Sequence, residues 1–129
     1  MPRTPSLQPT EVELQILRIL WERGPSTARE IHNELTGIRE TNYSTTVKML
    51  SVMLDKKLVT RDGTVRPQVF QPAATRDRTQ RRMLKELVQK AYDGSVGSLV
   101  MQALSSQKSS PGELAEIRRL LNELEEGAE

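Results

Sequence analysis

Scarce aromatic residues, three helix-start signals and one hairpin signal together predict a mainly α protein. Aromatic residues make up only 3% of the 129-residue chain, so its core must be built from aliphatic side chains, which favours helices. The expected architecture is an N-terminal winged helix-turn-helix, with three helices and a β-hairpin wing, followed by a C-terminal three-helix dimerisation arm. We expect a flexible N-terminal arm over residues 1–9, the winged helix over 10–73 and the helical arm over 74–126.

A capping box, in which a hydroxyl residue precedes a glutamate by three positions, predicts the start of each of the first two helices. Thr10 with Glu13 opens the first helix, which Gly24-Pro25 ends, and Thr27 with Glu30 opens the second. The apolar set of the first helix is Val12, Ile16, Leu17, Ile19, Leu20 and Trp21. In the second helix Ala28, Ile31 and Leu35 are expected to point inward.

Residues 42–58 are predicted to form a third helix with two distinct faces. Asn42 is a suitable N-cap, and the first turn is rich in hydroxyl groups and contains no acid. Such a turn, with N–H groups that the helix leaves unpaired and a nearby lysine, suits a polyanion. We therefore hypothesise a DNA recognition helix, although an ordinary core helix with a polar outer face would show the same pattern. The expected inward stripe is Val47, Leu50, Leu54 and Leu58.

A β-hairpin is predicted directly after this helix. Residues 58–61 and 68–72 favour strands, and Asp62-Gly63 between them is a turn signal. In this topology the preceding helix enters the major groove and the hairpin forms the wing. Arg61 and Arg66 could then reach phosphates or a minor groove, with two ordinary solvated arginines as the alternative. The expected DNA contacts are Asn42, Tyr43, Ser44, Thr45, Thr46, Lys48, Met49, Lys56, Arg61 and Arg66.

The remaining helices, about 75–92, 96–106 and one opened by Ser110 and Glu113, are each apolar on one face. Folded alone they could bury little surface. We therefore expect two copies to interleave across a two-fold axis, with packing onto the same chain's N-terminal domain as the alternative. The expected dimer contacts are Met83, Leu84, Leu87, Val88, Leu99, Val100, Leu104, Leu114, Ile117, Leu121 and Leu124.

Several classes of function and location have no support in the sequence. The chain has no cysteine, which excludes disulfides and thiolate metal sites. Its one histidine, His32, is expected on the surface or as a cap, so neither a metal nor a cofactor is predicted. No phosphate-binding glycine loop or nucleophile motif is present, so no enzymatic activity is predicted. No apolar run suits a membrane span or signal segment, which predicts a cytoplasmic protein without membrane insertion.

The charge distribution predicts which end of the chain would point away from nucleic acid. The net charge is only +2, but residues 73–107 carry six basic and three acidic side chains, whereas residues 108–129 carry three basic and six acidic ones. An acidic last helix repels a phosphate backbone. If the chain binds DNA, its C-terminal end is therefore expected to point away.

Four segments, residues 14–31, 43–48, 94–100 and 114–124, resemble the BlaI/MecI/CopY penicillinase-repressor family, and the Leu-Trp-Glu-Arg-Gly-Pro sequence at 20–25 is the most specific. The resemblance covers about residues 8–126. It implies a dimeric bacterial repressor whose winged helix binds a palindromic double-stranded operator DNA.

In the antibiotic-responsive members of that family, a membrane sensor peptidase signals the presence of β-lactam and the repressor is cut in its fifth helix. By position, the resemblance places that bond between Gln102 and Ala103. The family pair is usually Asn-Phe, so the chain departs from the pattern here. It also lacks the cysteine cluster of the copper-responsive branch.

Two other functions fit the same predicted fold. One is a winged-helix module that binds proteins and not DNA, which the modest net charge permits. The other is a winged-helix regulator gated by a small ligand, which would need a sizeable apolar cavity.

Overall fold

The structure of the chain, a computed structural model, describes residues 8–127. The predicted N-terminal arm lies outside the described residues except for Gln8 and Pro9. The chain forms two compact units, one up to Leu84 and one from Lys85 onward. That division falls inside a helix, and the functional boundary between residues 73 and 74 stays a prediction.

The described part of the chain contains six helices and a small three-stranded sheet, which confirms the predicted fold class. The elements are α1 (Glu11–Arg23), β1 (Ser26–Thr27), α2 (Ala28–Leu35), α3 (Tyr43–Asp55), β2 (Val59–Asp62), β3 (Val69–Pro72), α4 (Arg76–Ala91), α5 (Val96–Ser106) and α6 (Pro111–Gly127). None of the described helices is both long and apolar enough to cross a membrane.

The short strand β1 was not predicted. Ser26 pairs with Phe70 and Thr27 with Val69, so β1 adds an antiparallel strand beside β3 and the sheet order is β1-β3-β2. Two residues are too few to show the alternation that marks a strand. The pairing of β1 with β3 could not be predicted, because it depends on where the hairpin packs in the fold.

The predicted capping boxes are present in the structure. Thr10 Oγ1 accepts from the Glu13 N–H at 3.3 Å, and Glu13 Oε1 accepts from the Thr10 N–H at 2.9 Å. Thr27 with Glu30 repeats the arrangement, and so does Ser110, whose N–H donates to Glu113 Oε1 at 3.2 Å. These reciprocal bonds satisfy N–H groups that the helix itself leaves unpaired, so they fix where each helix begins.

The core of the N-terminal unit is aliphatic except for Phe70 and is assembled from the first three helices and the sheet. Its buried members are Ile16, Leu17, Ile19, Leu20, Ile31, Leu35, Leu50, Met53, Val59 and Phe70. The predicted inward stripe of α3 is partly wrong, because Thr46 and Met53 are fully buried while Val47 is 43% exposed. The observed stripe, Thr46-Leu50-Met53, and the predicted stripe, Val47-Leu50-Leu54, both have helical spacing. Packing of α3 against α1 and α2 decides which of the two is buried.

The third helix is also shorter than predicted, because Lys57 adopts a left-handed conformation with φ of 61°. This position usually carries glycine, since a Cβ atom there costs about 1 kcal/mol. We expect Lys57→Gly to raise the free energy of unfolding by about 1 kcal/mol in urea titrations. Lys57→Ala is the control: it removes the same charge but keeps a Cβ atom, so an equal gain in both variants would contradict a backbone origin.

In the C-terminal unit, α5 and α6 bury no residue. Several large apolar side chains on these helices and on α4 are exposed to solvent. The most exposed are Leu84, Leu87, Val96, Met101, Leu120, Leu121 and Leu124. Val88 differs, because it is already buried in the single chain.

Candidate nucleic-acid interface

The first turn of α3 is held together by one carboxamide oxygen. Asn42 Oδ1 accepts hydrogen bonds from the Thr45 N–H at 2.9 Å, the Thr45 hydroxyl at 2.9 Å and the Ser44 hydroxyl at 2.8 Å. All three residues are exposed. The turn is therefore ordered before any ligand arrives, which reduces the entropy that binding would cost.

Thr46, expected to contact DNA, instead lies in the protein interior. It is fully buried, and its Oγ1 lies 2.8 Å from Nδ1 of His32. The prediction of a DNA contact is therefore wrong for Thr46, as is the prediction that His32 lies on the surface, since His32 is only 9% exposed. Each group is a hydrogen-bond partner of the other, and the Thr46 hydroxyl also donates to the Asn42 carbonyl oxygen at 3.4 Å. Such partners make burial of two polar side chains tolerable. The pair ties α2 to α3.

No metal site is assigned to His32. Among residues 8–127, no three His, Asp or Glu side chains gather in a way that could hold a metal ion.

Tyr43, the first residue of α3, is held from two sides by α2. The Arg29 guanidinium carbon lies 3.8 Å from the centre of the Tyr43 ring, and the His32 ring meets it edge-on at 5.5 Å. Cations and aromatic edges both favour such contacts. Arg29 was not predicted as a site residue, yet its exposed charge lies beside the first turn of α3. Nothing in the sequence links Arg29 to Tyr43, because only the packing of α2 against α3 brings them together.

The outer face of α3 and the wing lie in the same unit and border a cleft of about 440 Å³. Arg29 and Arg61 are the charged residues that line it. The side chains of α3 that face solvent are Ser44, Thr45, Val47, Lys48, Ser51, Val52 and Asp55, while Met49 is half-buried on the flank. Of the predicted contacts on α3, Ser44, Thr45 and Lys48 are therefore exposed, Tyr43 and Met49 are half-buried and Thr46 is buried.

The wing is ordered near its turn. Asp62 Oδ1 accepts from the Thr64 hydroxyl at 2.6 Å and the Thr64 N–H at 2.9 Å. These two bonds hold the pKa of Asp62 below its usual value. Arg61 in β2 and Arg66 in the following loop are both exposed, so the wing has two accessible basic side chains.

Lys56 is turned toward α1 and away from the outer face of α3. Its Nζ lies 2.7 Å from Glu13 Oε1 and 3.1 Å from the Gln8 carbonyl oxygen. The side chain of Lys56 is 18% exposed and that of Glu13 only 2%. The prediction of a DNA contact is therefore wrong for Lys56, because its ammonium is the partner of a buried carboxylate.

The pKa of Glu13 reflects this ion pair. Burial by itself raises the pKa, but the hydrogen bonds from Lys56 and Thr10 together outweigh it and hold the pKa below the ordinary value. The buried carboxylate therefore stays ionised.

Gln102 and Ala103 are exposed near the C-terminal end of α5. The Gln102 carbonyl oxygen accepts hydrogen bonds from the hydroxyls of Ser105 at 3.2 Å and Ser106 at 2.6 Å. Of the predicted dimer contacts, Leu84, Leu87, Leu104, Leu121 and Leu124 are exposed, Met83, Leu99, Val100, Leu114 and Ile117 are half-buried, and Val88 is buried.

Comparison with known proteins connects this geometry to one family. The model of the family described as penicillinase repressor matches residues 9–123. A penicillinase repressor from Staphylococcus aureus is 21% identical over 112 residues, which cover 87% of this chain and 89% of that protein. The family model spans the three-helix and hairpin region together with the C-terminal helices as far as residue 123.

Proposed function

The chain belongs to the penicillinase-repressor family, and on that premise we propose that it binds a palindromic operator DNA as a homodimer through α3 and the wing. The family is one of DNA-binding regulators, so the chain is a transcriptional repressor and not an enzyme. The observation that carries the DNA-binding proposal is the outer face of α3, which has ordered hydroxyl groups and an exposed Lys48. The same helix borders a cleft with the basic wing residue Arg61.

Two kinds of DNA contact are assigned to this surface. Lys48, Arg61 and Arg66 contact phosphates, which positions the protein without reading sequence. Asn42, Ser44 and Thr45 lie at the N-terminal end of α3, the part of a recognition helix that reaches base edges in the major groove. Tyr43 and Met49 flank these residues.

The homodimer is proposed through the apolar faces of α4, α5 and α6. Leu87 is 48% exposed, Leu121 49% and Leu124 61%. Leaving so many large apolar side chains in water is unusual for a monomer, and a second copy presents the same faces across a two-fold axis. Sedimentation should therefore give a dimer.

Release from DNA is proposed to follow a cut between Gln102 and Ala103 by a membrane sensor peptidase. The support is positional: both residues are exposed in α5, and α6 follows them. A cut there places α6 on a separate fragment from α4, so the dimer loses part of its interface. Co-expression with a sensor peptidase should yield fragments 1–102 and 103–129 by mass spectrometry, whereas an intact chain under induction would reject this route.

Sequence-specific binding is tested by selection from a random pool of double-stranded DNA. We expect enrichment of a palindrome whose half-sites are one helical turn, about 10 base pairs, or a multiple of it apart. If no palindrome is enriched at low salt, the proposed function fails and a protein-binding role for the outer face of α3 becomes the better reading.

Lys48→Ala is expected to weaken operator binding and to change its salt dependence. Each phosphate contact contributes about 0.9 to the slope of log affinity against log salt, so losing one in each protomer should reduce the slope by about 2. Fluorescence anisotropy over a salt series measures it. Lys108→Ala is the matched control, because Lys108 is exposed in the segment between α5 and α6. An unchanged slope for Lys48→Ala would remove Lys48 from the interface.

A further inference from the structure

Val47 is an exposed apolar residue in the cleft between α3 and the wing. It is 43% exposed, although its spacing with Leu50 and Leu54 placed it in the core when judged from sequence. It lines the cleft together with these two leucines. Leu50 is buried and Leu54 is half-buried, so the cleft combines an apolar floor with an apolar side chain that reaches solvent.

Charge complementarity indicates what enters this cleft. Its charged lining residues, Arg29 and Arg61, are both basic, so the cleft suits a polyanion that carries a protruding apolar group. DNA has such a group in the major groove, where the 5-methyl of thymine is the apolar feature of a base edge. Val47 is the fifth residue of α3, within the N-terminal part of the helix that reaches base edges.

We propose that Val47 is a specificity-determining residue that packs on a thymine 5-methyl group in each operator half-site. The inference rests on the proposed function, because it requires α3 to enter the major groove. Val52 is similarly exposed, at 46%, but lies outside the cleft. It also lies about 7.5 Å further along the helix axis. Its place in the cleft distinguishes Val47, because a methyl group packed on it there would leave water together with the valine side chain.

The test replaces thymine by deoxyuridine in the selected operator, one symmetric pair at a time. Deoxyuridine lacks only the methyl group, so base pairing and charge are unchanged. For the wild-type protein, replacing the two symmetry-related thymines that contact Val47 should lower operator affinity about fourfold per half-site, or about 15-fold in total. That loss corresponds to one buried methyl group in each half-site. Val47→Ala should bind the thymine operator more weakly and show no further loss at that pair.

Val52→Ala is the matched control, since it makes the same change at a similarly exposed position of the same helix. Val52→Ala should lose as much affinity as the wild type when thymine is replaced by deoxyuridine. The inference is overturned if no thymine pair is sensitive in the wild type, or if Val47→Ala keeps the sensitivity. It is equally overturned if Val52→Ala loses the sensitivity instead. In those cases tight operator binding by the wild type leaves the proposed function intact. Absence of binding to any operator would refute both the proposed operator binding and the thymine contact of Val47.

Discussion

Cutting the chain between Gln102 and Ala103 is expected to lower operator affinity by about 10²–10⁴-fold. Once one protomer of a dimer is bound, the second half-site is met at a high effective concentration, and separate protomers lose that advantage. Because α5 and α6 bury none of their residues within one chain, we expect their apolar faces to be stabilised by the partner copy. Detaching α6 should therefore shift dimer to monomer.

The experiment does not require the natural signal. A recognition sequence for a site-specific protease is inserted between the two residues, and affinity and sedimentation are measured before and after cleavage. The control carries the same sequence after Gly127, where cleavage leaves α6 attached. Affinity should fall only when the cut lies between Gln102 and Ala103. Retention of both dimer and affinity after that cut would show that α6 contributes neither.

Replacing Lys56 by methionine is expected to lower the free energy of unfolding by about 3 kcal/mol. The substitution leaves the buried Glu13 carboxylate without its cationic partner, although the Thr10 N–H still donates to it. Breaking one side of a buried ion pair is costly because the remaining charge stays away from water. Urea unfolding at pH 7 measures the loss, and the double variant Glu13→Gln with Lys56→Met should recover a large part of it.

The same variants separate the two roles considered for Lys56. If Lys56 contacted DNA, Lys56→Met would preserve stability and reduce the salt slope of operator binding by about 2. The structure predicts the opposite result for each measurement, because the ammonium contacts Glu13 and Gln8.

Acid should weaken the wild type more steeply than Glu13→Gln. A carboxylate whose folded pKa lies below its unfolded value, about 4.3 for glutamate, stabilises the fold fully above that value. The contribution is lost as the pH falls through the folded pKa. The stability difference between the two proteins should thus be constant above about pH 5 and shrink below about pH 4. Glu30 and Asp62 also have lowered pKa values, but they are present in both proteins and cancel. A difference that does not change with pH would contradict this account.

The sequence by itself determined where the helices begin and which fold they form. Thr10, Thr27, Asn42 and Ser110 each bond to a backbone group within three positions, and such bonds depend only on local order in the chain. The hairpin signal at Asp62-Gly63 is equally local. These signals give three helices and a wing followed by three helices, and the segments that resemble the penicillinase repressors follow that order.

Only the tertiary structure decided which way the side chains of α3 point. Thr46-Leu50-Met53 and Val47-Leu50-Leu54 both have helical spacing, so periodicity could not choose between them. The choice came from partners distant in sequence: His32, which lies 14 positions from Thr46, and Glu13, which lies 43 positions from Lys56. A buried hydroxyl or ammonium group is tolerated only where such a partner satisfies it. That requirement removes Thr46 and Lys56 from the proposed DNA-binding surface and leaves Val47 exposed beside the wing.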